Sequence, residues 1–151
     1  MGSKFNVKMK GQTSTALKKL EEISKNFDGP DIVKVGLPKG ANDYPDGTSV
    51  LMVGAVHEFG SPARSIPQRS YLRSTVVEKK SKYKTMFRKL SKQMVEGKIN
   101  KEKALMVVGL KTQTDVRNKI TNIKVPELKY RDGNPLVDTG HLRQAIFFTV
   151  N

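Results

Sequence analysis

Two short stretches of this chain carry residue types that could do chemistry. Leu136-Val137-Asp138-Thr139-Gly140 has the apolar-apolar-Asp-Thr-Gly form of aspartic peptidases, in which two facing carboxylates share a proton and activate a water. That machinery needs either a second copy of the motif or further strands after the first. Only eleven residues follow Gly140, and no second copy stands upstream. The same residues suit a helix start, with Asp138 or Thr139 accepting a backbone N–H and Gly140 in the first turn. Asp138, Thr139 and Gly140 are therefore expected to form a cap.

His57-Glu58 opens like a metallopeptidase helix motif, but the fourth residue after His57 is Ser61, so the second imidazole ligand is missing. His141 is the only other histidine and there are no cysteines, so a closed zinc site would have to gather carboxylates from scattered positions. Both histidines are expected to be structural. Gly36, Gly40 and Gly47 are too widely spaced for a phosphate loop, and no Gly-x-Ser-x-Gly presents a nucleophile. The expectation is a protein with no catalytic residue, no cofactor and no metal, not an enzyme.

The elements that must position these residues follow from periodicity. Residues 4–10 alternate, with Phe5, Val7 and Met9 on one side and Lys4, Asn6, Lys8 and Lys10 on the other, as in a half-buried strand. Thr13 or Ser14 can cap a helix carrying Leu17, Leu20, Ile23 or Ser24, and Phe27, which Asp28-Gly29-Pro30-Asp31 stops. Ile32, Val33 and Val35 make a second short strand before Gly36 and Pro38. After a loop with turn chemistry at Pro45-Asp46-Gly47, Thr48 or Ser49 can cap a mostly apolar helix from Val50 to Phe59.

A loop follows, Gly60 to Arg69, pinned by Pro62 and Pro67 and carrying Arg64 and Arg69. Gly60 and Pro67 set its path, Phe59, Ile66 and Leu72 are its expected anchors, and Ser70 is the expected cap of the next helix. That helix carries Leu72, Val76, Tyr83, Met86 or Phe87, Leu90 and Met94 as its apolar stripe. Its other face is basic, with Arg73, Lys79, Lys80, Lys82, Lys84, Arg88, Lys89 and Lys92. Gly97 ends it. Asn100 caps a further helix with Leu105, Val108, Thr112, Val116 and Ile120 on one face, so the two should lie antiparallel. An extended stretch around Pro126, a short helix near Gly140 to Gln144 and a strand from Ile146 to Val150 complete the chain.

The reading is a single domain over residues 1–151 of the α+β class: a small antiparallel sheet packed against helices, including one long basic helix and an antiparallel helix pair. No apolar run is long enough to span a membrane, and no signal-peptide pattern is present. Lys and Arg number 28 against 14 Asp and Glu, a net charge of +14. Such an excess favours a polyanionic partner. Lys79, Lys80, Lys82 and Lys84 are the candidate DNA-facing residues, for contact with phosphates and not with base edges, since no base-reading motif is present.

Tyr44-Pro45-Asp46-Gly47-Thr48-Ser49-Val50, His57-Glu58-Phe59-Gly60, Ile66-Pro67-Gln68-Arg69-Ser70-Tyr71-Leu72-Arg73 and Pro135-Leu136-Val137-Asp138-Thr139-Gly140-His141-Leu142-Arg143-Gln144-Ala145-Ile146 occur in that order. In this the chain resembles the neck, or head–tail connector and tail-completion, proteins of tailed bacteriophages. Those proteins usually have Ala-Arg-Pro-Phe where Gln68-Arg69-Ser70-Tyr71 stands here, and they often continue past the closing strand. The resemblance implies a non-enzymatic virion component, made in the host cytoplasm and built as a homo-oligomeric ring at the head–tail junction. Its neighbours would be portal-side connector and tail-tube or terminator proteins, with packaged double-stranded DNA passing through the ring. A tail terminator ring and a free, sequence-independent nucleic-acid-binding protein are the alternatives. Arg64, Ile66, Gln68, Arg69, Tyr71 and Arg73 are the expected contacts with a neighbouring subunit; Arg69 and Arg73 could instead pair with Glu58 or Asp138 within one subunit.

Overall fold

The computed structural model describes residues 15–128, 133–137 and 139–151. The strand expected over residues 4–10 and the cap residue Asp138 lie outside them.

The longest local signals hold. The helix α4 (Lys101–Asn122) buries Leu105, Val108, Thr112, Val116 and Ile120, the stripe that spacings of three and four put on one face. The Asn100 side chain caps it by accepting the Lys103 N–H at 3.0 Å. Before it, α3 (Leu72–Val95) runs antiparallel along α4. The turn between them closes with Gly97 at φ 72°, where its N–H reaches the Met94 carbonyl and the Lys98 N–H reaches that of Gln93. Leu90 and Met94 pack there with Ala104 and Val108.

The α3 stripe departs from expectation in its first half. Thr75 is buried while Val76 and Phe87 are about half exposed. The seam that faces α4 runs through Thr75, Lys79, Tyr83, Met86, Leu90 and Met94, one residue off the apolar sequence pattern at its start. The cause is Asp115 on α4: it is buried, and it draws Lys79 and Tyr83 to itself.

Two strands, β1 (Val33–Gly36) and β2 (Phe147–Val150), pair antiparallel with Val33 opposite Val150 and Gly36 opposite Phe147. Both lie on α4. Gly109 of α4 makes this approach possible, because a Cβ there would collide with the Phe148 ring. The α+β reading with a small antiparallel sheet therefore describes the fold. The remaining helices are α1 (Thr15–Lys25), α2 (Val50–Phe59) and α5 (His141–Ala145).

The main core forms where α2, the head of α3, the end of α4 and α5 meet: Val50, Tyr71, Val116, Ile120, Leu136, Leu142 and Ile146. Gly54 of α2 leaves room for it, since a Cβ would collide with the Leu37 side chain and lie 2.7 Å from the Tyr71 hydroxyl. No helix among the described residues is long and apolar enough to cross a membrane.

Candidate functional site

The corner from Phe59 to Arg73 is built around one carboxylate. Glu58, in the last turn of α2, is only 5% exposed. Its two oxygens accept the N–H groups of Tyr71 (2.8 Å), Leu72 (2.9 Å) and Arg73 (3.1 Å) and the Ser70 hydroxyl (2.7 Å). These are the unpaired donors at the head of α3, where a negative charge also meets the positive end of the helix dipole. Burial alone would push the Glu58 carboxyl up. The hydrogen bonds from Leu72, Ser70, Arg73 and Tyr71 outweigh it and hold the group below its ordinary value. Ser70, the expected cap, has a supporting part: its hydroxyl accepts the Ser74 N–H while donating to Glu58.

The loop between the helices folds back on itself. Gly60 turns at φ 77°, and a Cβ there would sit 3.0 Å from the Gln68 nitrogen, so the tight return requires glycine. Ser61 and Ile66 exchange backbone hydrogen bonds across a 3-10 turn at Pro62–Arg64. Gln68 then donates its amide to the Glu58 carbonyl, and the Arg69 N–H reaches the His57 carbonyl.

Arg69 corrects a sequence-based expectation. Its side chain is buried, not presented to a neighbour, and donates to the carbonyls of Pro126 (2.7 Å) and Glu127 (3.0 Å). It pins the extended stretch after α4 across the corner, where the Val125–Pro126 bond is cis. Tyr71, 1% exposed, is likewise a core residue and has no surface to offer. Neither Arg69 nor Arg73 forms an ion pair with Glu58; Arg73 contributes its backbone N–H. Arg64, Gln68 and Arg73 are exposed and Ile66 and Pro67 are half-buried, so these remain accessible. Phe59, expected as an anchor, is 68% exposed at the C-terminal end of α2.

Between the loop and the stretch Pro126 to Leu128 lies an apolar groove of about 820 Å³, lined among others by Phe59, Pro62, Arg64, Ile66 and Arg69. His57 borders it. Burial, and then the Arg69 charge, push its imidazole below the ordinary histidine value, so the ring is neutral near pH 7. The second histidine is a strut: His141 Nε2 lies 2.6 Å from the Asn42 carbonyl oxygen, and its ring stands 4.6 Å from that of Tyr44. Among the described residues no three His, Cys, Asp or Glu side chains are grouped as a metal site would need.

Thr139 and Gly140 open α5, although not as expected in detail. Gly140 occupies the N-cap position in the left-handed region, and Thr139 accepts the His141 N–H through its hydroxyl at 3.3 Å.

The basic face divides in two. Lys79 is not free for a phosphate, because its ammonium group lies 2.8 Å from the buried Asp115 carboxylate, which Lys111 (2.6 Å) and Tyr83 (3.1 Å) also hold. Lys80, Lys82 and Lys84 are exposed. Lys80 and Lys84 continue into Arg88 and Lys92 at intervals of four, a stripe down one side of α3. Asp115 carried one sequence signal, the Lys111-to-Asp115 spacing of four. Glu58 carried none that separates a long-range cap from a surface carboxylate.

Comparison of the chain with protein-family models, with curated proteins and with solved structures finds no match.

Proposed function

We propose that the chain is a non-enzymatic structural subunit of a tailed-phage virion. It forms a homo-oligomeric ring at the head–tail junction, made in the host cytoplasm, that links connector to tail around the DNA path. The observation that carries this reading is the convergence of its sequence blocks. Glu58 of His57-Glu58-Phe59-Gly60 holds the head of the helix that begins in Ile66 to Arg73, and Tyr71 packs with Leu136, Leu142 and Ile146 of the last block. Val50 and Tyr44, from the first block, pack in the same core. Blocks far apart in the chain but joined in space are what a shared fold demands, and the phage resemblance rests on these blocks alone.

The distribution of surface apolar groups suits assembly. Leu51, Met52 and Phe59 stand exposed on α2, and Met106, Val107 and Leu110 stand exposed on α4. A ring of identical subunits closes through head-to-tail contacts, which need two unlike surfaces on each subunit. The Gln68 and Arg69 side chains at the corner, by contrast, are spent on backbone carbonyls.

Native mass spectrometry of the chain, alone and with its connector and tail-tube partners, tests the reading. A closed ring of one copy number is expected; a monomer under every condition would contradict it.

The stripe of Lys80, Lys84, Arg88 and Lys92 favours one addition, sequence-independent contact with packaged DNA. A tail terminator ring is the neighbouring alternative within the same reading.

A further inference from the structure

Two exposed apolar stripes lie on different helices. On α2, Leu51, Met52, Ala55 and Phe59 recur at intervals of three and four and are all exposed, so they share one face. That face carries no charge, since the ionisable residues of α2 are the half-buried His57 and the buried Glu58. On α4, Met106, Val107 and Leu110 are exposed, and Glu102 stands one turn before Met106. Glu102, Met106 and Leu110 thus form a line at intervals of four. Lys103 and Lys111 border the line on its far side, and Lys111 is held by Asp115 at 2.6 Å. Both helices are anchored, Val50 of α2 and Val116 and Ile120 of α4 belonging to the main core. The two stripes are therefore fixed surfaces.

Charge decides what can cover them. At a net charge of +14, two copies of this chain repel unless the surfaces that touch are neutral or opposite in sign. The α2 stripe is neutral, and at its end stands a cation: Arg64 is exposed and lines the same groove as Phe59. The α4 stripe is headed by an anion, Glu102. Among the described residues neither Arg64 nor Glu102 forms an ion pair or a side-chain hydrogen bond. Other exposed apolar groups fit Arg64 less well. Val76, Val77 and Phe87 lie on the basic helix α3, and α1, with Leu20 beside Glu21 and Glu22, has no buried residue to fix it as a platform. We propose that the α4 stripe of one copy seats on the α2 stripe of the next, with Met106 and Leu110 against Met52 and Phe59 and Glu102 paired with Arg64. This contact rests on the ring reading above and names the surfaces that would close the ring. It joins unlike surfaces, so every copy offers one of each and the series can close on itself.

The chain has no cysteine, so single cysteines report on contacts between copies without an internal bond. Phe59→Cys, Met106→Cys and Leu110→Cys are made separately in the full chain, all at exposed positions. They are oxidised under the conditions in which native mass spectrometry shows rings of the unmodified chain. Phe59→Cys mixed with Met106→Cys or with Leu110→Cys should give a disulfide-linked dimer in at least one of the two mixtures. Each variant alone should give none, because a head-to-tail contact brings unlike positions together. Arg64→Glu should shift assembly to higher protein concentration, and adding Glu102→Arg in the same chain should restore it. Rings that form without a mixed disulfide, or a charge exchange that fails to restore assembly, would overturn this contact and leave the ring reading standing. Dimers from Phe59→Cys alone would show a two-fold contact, and a disulfide to a connector or tail protein's cysteine would assign the α2 stripe to that partner; either overturns the proposal. A monomer under every condition would overturn the contact and the ring together.

Discussion

The Glu58 carboxylate accepts the Tyr71 N–H at 2.8 Å, so the last turn of one helix supplies the cap of the next. The two stand thirteen positions apart in the chain, and the residues between them include a glycine turn, a 3-10 turn and a buried arginine. The loop can hold this path because its ends are tied by charge-assisted hydrogen bonds, which are stronger than neutral ones. The same residue that resembles a catalytic glutamate in sequence has its oxygens committed to three main-chain N–H groups and the Ser70 hydroxyl.

Replacing Glu58 with Gln should cost about 1–3 kcal/mol, because several donors at the head of α3 lose a charged acceptor inside the protein. Urea unfolding at neutral pH measures it. An unchanged midpoint would show that the cap adds nothing.

The same carboxyl sets a pH dependence. Its folded-state value lies below the unfolded 4.5, so its stabilising effect is complete above that pH and is lost as pH falls through the folded value. The unmodified chain should lose stability with acid over this range, and Glu58→Gln should lose less. Parallel urea titrations across the acid range check this.

Gly109→Ala sets two effects against each other. Helix propensity favours alanine by about 1 kcal/mol, whereas overpacking against the Phe148 ring costs about 1–3 kcal/mol. The clash should win and the variant should be less stable. Adding Phe148→Ala should turn the alanine substitution from harmful to neutral or helpful, a coupling that a double-mutant cycle reads directly.

These results explain what could be read in advance. The α4 stripe, the Asn100 cap and the Gly97 stop were legible because each is settled within a few residues. The strand at Val33–Gly36 was legible from its β-branched residues and its glycine boundary, although its partner was not. The roles of Glu58, Arg69 and Asp115 were hidden because each depends on a group far along the chain, at Tyr71, Pro126 and Lys79. A carboxylate that caps a distant helix has the same local sequence as one that faces water. Phe59 failed as an anchor for a related reason: its apolar neighbours on α2 do not reveal which side meets the core.

Asp115→Asn should loosen the α3–α4 seam by about 1–3 kcal/mol, since Lys79, Lys111 and Tyr83 all lose a charged acceptor. Burial first, and Asp115 second, push the Tyr83 hydroxyl up to about 12. Removing the charge should bring it down while burial keeps it above 10.0, its ordinary value. Ultraviolet titration of the phenols reads the shift, and no change would separate Tyr83 from Asp115.

If α3 meets DNA, Lys80, Lys84 and Arg88 changed together to Ala should weaken binding at low salt and reduce its salt dependence. Lys79→Ala should act on unfolding instead, because Lys79 is held by Asp115. Fluorescence anisotropy with a random duplex checks both. Equal loss of affinity in the two variants would contradict the division of the basic face.

The central claim, a ring subunit at the head–tail junction, is tested most directly by electron cryomicroscopy of the particles that contain this chain. The account predicts one closed ring of this fold between connector and tail, with α2 and α4 at the subunit contacts. Density for the chain elsewhere in the particle, or its absence from purified particles, would contradict it.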